Sequence, residues 1–223
     1  MGKNFKIITV ERDVLRKNND IALLNKKAFD ESNAHCINLL SSPGSGKTSI
    51  LEVIIPRLIR GRNVYVIEGD VETPNDGLRI EKTGAGTIQI TTLGSCHLDA
   101  GMVEKAFREL DIRKSEGPRS MLFIENVGNL VCPASFYLGE HLNGVVLSVT
   151  EGDDKPLKYP KAFRNAHFIM INKTDLLPYV DFDISRSREY ILKINPGARI
   201  FEMSAKTGEG IDGLIAWLNE MAR

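Results

Sequence analysis

The sequence predicts an α/β fold: a three-layer sandwich around a mainly parallel sheet, preceded by an N-terminal helix. Two observations carry this reading. From Cys36 onward, short apolar runs alternate regularly with helical patterns, which is the signature of successive βαβ units. The runs are also continuously apolar rather than alternating, as in strands buried on both faces.

The elements follow in order. Residues 13–30 have helical periodicity, with Leu15, Ile21, Leu24, Ala28 and Phe29 as the expected buried members. Strands are expected at CINLLS from Cys36, VYVIEG from Val64, TIQITT from Thr87, MLFIEN from Met121, VVLSVTEG from Val145, FIMIN from Phe168 and RIFEMS from Arg199. Helices are expected to begin near Lys47, Asp76, Leu98, Pro156, Asp183 and Gly210, and RKSEGPRS reads as a surface loop. The expected division is a helical extension over 1–33 and one large domain over 34–223. In a parallel sheet, ligands sit at the carboxyl ends of the strands, so the residues after each strand are the place to look for chemistry.

Composition narrows the function classes. The 29 basic and 29 acidic residues cancel, so no global positive field draws nucleic acid. No stretch has the length and apolarity of a bilayer span, and the first residues lack a secretory pattern. Three scattered cysteines, Cys36, Cys96 and Cys132, make no disulfide framework, and a cytoplasmic protein with reduced thiols is expected.

The strongest motif follows the first strand. Ser41-Ser42-Pro43-Gly44-Ser45-Gly46-Lys47-Thr48, continued by Ser49, matches the phosphate-binding P-loop except that Ser41 stands at its first glycine. Gly44 and Gly46 permit a sharp turn that brings amides to the phosphates at a helix N-terminus. Lys47 is expected to reach the outer phosphates and Thr48 to ligate Mg²⁺. These residues narrow the fold class to a P-loop NTPase.

Asn172-Lys173-Thr174-Asp175 follows FIMIN and resembles the base-recognition motif of GTPases. The Asp175 carboxylate can accept from guanine N1–H and its exocyclic amine, a pair that adenine lacks, and a polar cap at a helix start is the alternative for Asp175 on these four residues alone. The Lys173 stem is expected to cover the base and Asn172 to brace the loop. Ser204-Ala205-Lys206, after RIFEMS, resembles the last GTPase motif, and the three occur in the GTPase order. Between them, Glu125-Asn126-Val127-Gly128 stands where GTPases place Asp-x-x-Gly. Glu125 is expected to hold Mg²⁺ through water, and the Gly128 amide to sense the γ-phosphate. Asp70 is the expected carboxylate near Mg²⁺ or the attacking water, with Asp76 second and a turn cap the alternative for Asp70. No glutamine or arginine finger is evident, so slow, partner-dependent hydrolysis is expected.

Cys96 and His97 are adjacent, and Cys132 follows Gly128 by four residues. Thiolate and imidazole suit zinc or nickel. Adjacent residues serve one ion only at an irregular junction, which Gly94-Ser95 suggests. Three ligands leave a fourth place open, to water or to a second chain across a two-fold axis. Ordinary thiols beside a capping histidine remain the alternative on these residues alone. Cys36 reads as core, and His35, His141 and His167 as structural or solvent-facing.

GDVETPNDGLR, SCHLDAGMVEKAF, FIENVGNLVCPASF, SVTEGDDKPLKYP and INKTDLLPYVDFD closely resemble the hydrogenase nickel-incorporation GTPase family, HypB, of the SIMIBI class that includes signal-recognition GTPases. The resemblance covers nearly everything from Asn38 to Trp217. It implies slow GTP hydrolysis to GDP, a homodimer in the GTP state, and nickel delivery to the [NiFe]-hydrogenase large subunit precursor with a HypA-type accessory protein. It implies that Cys96, His97 and Cys132 ligate zinc or nickel at the dimer interface, and that Lys155 or Lys158 contacts nucleotide across the dimer, with a solvated charged loop the alternative for the two lysines. The Cys-x-x-Cys-Gly-Cys and histidine-rich stretches of some members are not found before Asn33, so delivery is expected to rest on the switch-linked site. Competing readings are a urease-type nickel chaperone, which typically carries Cys-Pro-His, a G-protein guard of a cobalamin enzyme, and a small-molecule kinase.

Overall fold

The computed structural model describes residues 10–112 and 117–223. The expected loop residues 113–116 and the leading segment 1–9 lie outside them. Among the described residues, seven strands form one sheet whose pairings are all parallel, in the order β3-β2-β4-β1-β5-β6-β7. They are β1 (Ala34–Ser41), β2 (Val64–Asp70), β3 (Gly86–Thr91), β4 (Ser120–Glu125), β5 (Leu142–Ser148), β6 (Phe168–Asn172) and β7 (Arg199–Glu202). The helices are α1 (Val10–Glu31), α2 (Lys47–Leu58), α3 (Asn75–Glu81), α4 (Ala100–Glu109), α5 (Lys155–Lys158), α6 (Pro160–Arg164), α7 (Ile184–Ile194) and α8 (Ile211–Met221). No described helix is long and apolar enough to cross a membrane.

Strand β1 shows why the runs are continuously apolar. Ile37 and Leu39 enter the core shared with Ile50, Ile54 and Phe168, while Cys36 and Leu40 enter the two cores of the opposite face. Both faces are covered, so successive side chains are apolar although they point opposite ways. Cys36 is wholly buried, as read from the sequence.

Several boundaries differ from expectation. β5 begins at Leu142 rather than Val145 and stops at Ser148, because the chain turns where Glu151 donates its backbone N–H to the Ser148 carbonyl. α4 begins at Ala100 rather than Leu98, since Asp99 caps it by accepting from the Met102 amide at 2.8 Å. α6, opened by Pro160 at its first turn, was not anticipated; nor were the 3₁₀ turns at Pro133–Ser135 and Thr174–Tyr179.

Helix α1 is the clearest correction. Phe29 is buried as expected, but Leu24 is 62% exposed, and the inner face is Asn18, Ala22, Asn25 and Phe29. Polar docking sets this face. The Asn18 amide donates to the Tyr137 carbonyl at 2.7 Å and accepts from the Ala100 amide at 2.8 Å. Asn25 donates to the carbonyls of Ala100 and Leu138 at 2.8 and 3.0 Å. Hydrophobic periodicity does not register an inner face built on asparagine.

The three histidines read as structural or solvent-facing are placed in structural roles. His141 Nδ1 accepts from the Cys36 amide at 2.9 Å, its Nε2 pairs with Asp30 at 3.0 Å, and its ring stacks on His35 at 4.8 Å. His167 Nδ1 accepts from the Asn143 amide at 2.9 Å. His35 is 6% exposed and neither ring nitrogen has a hydrogen-bond partner. Burial, reinforced by the positive charge of His141 and Arg119, lowers its pKa to about 4. The unfolded chain therefore takes up a proton below about pH 6.5 that the folded chain refuses until about pH 4. Unfolding free energy should fall by roughly 1–3 kcal/mol as the pH drops through that window. Denaturant melts at pH 7 and pH 5 should show this loss in the wild type and a smaller one in His35→Phe.

Candidate functional site

The phosphate loop leaves β1 and enters α2. Gly46 holds φ +96, and a Cβ there would meet Asn172 Nδ2 at 2.5 Å, so only glycine fits. Asn172, at the end of β6, donates through Nδ2 to the Ser45 carbonyl at 3.0 Å and accepts through Oδ1 from the Ala205 amide at 3.1 Å. One buried side chain thus fastens the three guanine-nucleotide motifs together. Lys173 sits at φ +64 and donates to the Gly44 carbonyl at 2.7 Å, which lays its stem beside Gly46. Asp175 accepts from Ser204 Oγ at 2.6 Å. Between them lies a cavity of about 370 Å³ lined by Asn172, Lys173, Asp175, Ala205 and Lys206, open to Ser49 and Val53 of α2.

A second cavity, of about 360 Å³, opens over the P-loop, with Lys47, Thr48, Asp70, Asp76, Glu125 and Gly128 in its wall. Lys47 Nζ donates to Ser41 Oγ at 2.8 Å. The serine that departs from the glycine pattern thus gives the buried ammonium a partner. Burial lowers the Lys47 pKa against the opposing pull of Glu125. Thr48 Oγ1 donates to Glu125 Oε1 at 2.7 Å, while Glu125 Oε2 has no partner. Burial raises the Glu125 carboxyl. Glu68 on β2, which the sequence reading missed, lines the same cavity with an unpartnered buried Oε2. Its pKa is pushed to about 8 by burial, with the neighbouring charges of Glu125 and Asp70 adding to the shift. Two orphaned carboxyl oxygens beside a threonine hydroxyl form an oxygen donor set that suits Mg²⁺, whose charge would favour their ionised form.

Asp70 and Asp76 reach this cavity already engaged. Asp70 accepts from the amides of Val71 and Thr73 at 2.6 and 3.0 Å and from Thr73 Oγ1 at 2.6 Å, which holds its carboxyl below the usual range despite partial burial. It acts as the turn cap that the sequence left as an alternative. Asp76 pairs with Arg79 at 2.8 Å, and Arg79 also binds Glu52 and reaches Ser49 Oγ at 3.2 Å. Arg79 also lines the cavity over the P-loop, a role the sequence reading did not assign it.

The structure brings Cys96, His97 and Cys132 together, with ligand atoms all within 4.8 Å of one another. Leu93 at φ +50 and Gly94 at φ +111 break the extended chain after β3, and Cys96 Sγ lies 3.9 Å from His97 Nδ1. His97 stacks on Phe136 at 4.0 Å. Burial lowers its pKa, which favours the neutral imidazole that binds metals. The hydrogen bond with Cys96 and burial raise the Cys132 thiol.

Two asparagines that the sequence did not single out tie this cluster to the nucleotide side. Asn126, directly after Glu125, accepts from the Leu98 amide at 3.2 Å. Asn129 bridges to Ser41 of the P-loop strand, and its side chain donates to the Cys96 carbonyl at 3.3 Å. Between them, a Cβ on Gly128 would lie 3.0 Å from Pro43 Cα, so the glycine lets this segment rest on the P-loop backbone. Lys155 donates to Ser42 Oγ of its own P-loop at 3.0 Å, whereas Lys158 pairs with Asp154 at 2.6 Å on the surface.

The CobW/HypB/UreG nucleotide-binding domain family matches residues 35–202. The hydrogenase maturation factor HypB of Rhizobium leguminosarum bv. viciae is 49% identical over 97% of this chain and 71% of its own length. The crystal structure of HypB from Helicobacter pylori in complex with nickel superposes with a TM-score of 0.86 at 41% identity, covering 93% of this chain and 95% of that one. The hydrogenase maturation factor HypB of Archaeoglobus fulgidus gives a TM-score of 0.83 at 38% identity, over 94% of this chain and 100% of that one.

Asn172→Ala removes both bonds of the central amide and leaves the Ser45 carbonyl and Ala205 amide unpaired. It should cost about 1–3 kcal/mol of stability and weaken guanine nucleotide binding severalfold. Thermal unfolding with and without GDP measures both effects.

Proposed function

This chain belongs to the HypB family of hydrogenase maturation factors, and on that premise we propose that it is a slow GTPase that couples its nucleotide state to nickel or zinc held by Cys96, His97 and Cys132. In this reading it dimerises in the GTP state, works in the cytoplasm with a HypA-type accessory protein, and passes nickel to the [NiFe]-hydrogenase large subunit precursor. The family match begins at residue 35, which supports a helical extension over 1–33 followed by a GTPase domain over 34–223.

The P-loop amides from Gly44 to Ser49 cradle the phosphates, and Lys47 neutralises the outermost one. Thr48 and Glu125 would hold Mg²⁺, which when bound shields the charge on the phosphate oxygens. Asp175 reads guanine, the Lys173 stem covers it, and the Ser204-Ala205-Lys206 turn closes the far edge. Asp70 orders the turn that borders the reacting phosphate. Slow turnover fits a cavity in which Arg79 is tied down by Glu52 and Asp76 and no described glutamine lines the wall beside the P-loop.

The observation that supports coupling is the pair of asparagine ties from the segment after Glu125 to Leu98 and Cys96. A γ-phosphate that moves Gly128 displaces Asn126 and Asn129, and with them the backbone on either side of His97, at Cys96 and Leu98. Linkage makes the effect reciprocal: metal alters GTP affinity by the factor by which GTP alters metal affinity.

Nickel and zinc titrations of the GDP form and of a form bound to a non-hydrolysable GTP analogue, with particle size measured in parallel, test this reading. The expected difference in metal affinity is about five- to a hundredfold, within the usual range of coupling energies. Cys132→Ala should weaken binding and abolish the difference, and equal affinities in the two states would end the coupling reading. Lys47→Ala should abolish GTP turnover. Asp175→Asn should shift preference towards xanthine nucleotides, and unchanged guanine preference would remove the base assignment.

A further inference from the structure

Outside the guanine-nucleotide motifs, one poorly exposed carboxylate is bonded to the phosphate loop. Glu151, three residues beyond the end of β5, accepts through Oε1 from Ser45 Oγ at 2.6 Å and from the Ser148 amide at 3.1 Å. Its Oε2 faces Lys155 Nζ at 3.1 Å, an ion pair one helical turn apart with side chains only 13% and 22% exposed. Lys155 Nζ donates to Ser42 Oγ at 3.0 Å and lies 5.1 Å over the Tyr159 ring. The bonds close a circuit from Ser42 through Lys155 and Glu151 to Ser45, with both ends in the P-loop.

The chemistry of this circuit is unusual for its place. A carboxylate bonded to a loop that binds polyphosphate repels its ligand, and partial burial weakens the screening. Hydrogen bonds from Ser45, Ser42, the Ser148 amide and Lys155 keep Glu151 ionised against the pull of burial. The Lys155 ammonium is the only cation with which its carboxylate forms an ion pair among the described residues.

We propose that Lys155 serves nucleotide binding within its own chain by neutralising Glu151: the ammonium, held on Glu151 and Ser42, cancels a carboxylate bonded to the P-loop that would otherwise repel the bound phosphates. This rests on the GTPase reading above and concerns how the cradle is maintained within one chain. It makes the two residues unequal. Removing the lysine exposes the phosphates to an uncompensated anion. Removing both charges leaves the loop neutral, and removing the carboxylate alone leaves a cation beside it.

The test is a charge cycle on the full chain, using a fluorescent GDP analogue at a protein concentration where size measurement reports a monomer. Lys155→Met should weaken binding roughly tenfold, as expected for one uncompensated charge nearby, and the loss should shrink in high salt. Glu151→Gln/Lys155→Met should recover most of it, Glu151→Gln alone should bind at least as tightly as the wild type, and Lys155→Arg should stay near the wild type. Melting temperatures, taken in parallel, separate binding from folding. A purely structural brace predicts that the double variant is no better than Lys155→Met; that result overturns the proposal, as does wild-type affinity in monomeric Lys155→Met. If the double variant does not fold, a loss in Lys155→Met that fails to shrink with salt also overturns it. Asp175→Asn in the wild-type background separates the two failures. A shift to xanthine nucleotides without charge rescue leaves the GTPase reading standing and removes the Glu151 proposal alone, whereas no shift removes the reading on which it rests.

Discussion

The arrangement depends first on the Asn172 amide. A primary amide presents a donor and an acceptor about two ångströms apart, and here each faces a main-chain group from a different loop, the Ser45 carbonyl and the Ala205 amide. Being almost wholly buried, it has no competing water, and neither bond can be given up without leaving a desolvated polar group. The glycine at position 46 is the counterpart of this constraint, because any side chain there would occupy the space the amide needs. The cavity over the P-loop and the cavity beside Asp175 therefore share one wall.

From that construction the chain runs outward to the cysteine and histidine cluster in two short arms. One follows β3 and ends in α4, carrying Cys96 and His97; the other follows β4 and carries Cys132. Main-chain groups are the handles in both, with Asn126 and Asn129 reaching the backbone of the first arm from the second. Packing this close offers few intermediate positions, and that is the physical ground of the proposed coupling from the P-loop face of Gly128 to the cluster.

Much of this was legible in the sequence because it rests on residue types with little freedom. The βαβ alternation, the P-loop glycines, the order of the three motifs and the Cys96, His97 and Cys132 trio are each tied to one chemical requirement. What escaped was carried by polar side chains whose partners are distant in the chain. Asn18 and Asn25 turned the inner face of α1 away from Leu24, Glu68 sits inside an apolar strand, and Arg79 and Glu151 lie within family-like stretches whose residue types give no sign of the partners they meet. A carboxylate in VYVIEGD gives no sign in one dimension that it will face Glu125 from a neighbouring strand. Asp70 was legible only as a pair of options, since a carboxylate at a strand end serves equally well as a turn cap or beside a metal.

Helix α1 takes on a different meaning once the two arms are traced. Asn18 and Asn25 each hold both of them, gripping Ala100 just after the Cys96-His97 pair and the Tyr137–Leu138 segment just after Cys132 and Phe136. The helix is a splint laid across the roots of two fingers, fixing their spacing from behind while Cys96 lies exposed at the tips. Spreading the fingers at their base means tearing four hydrogen bonds at once, so the cluster yields at its mouth and not at its floor.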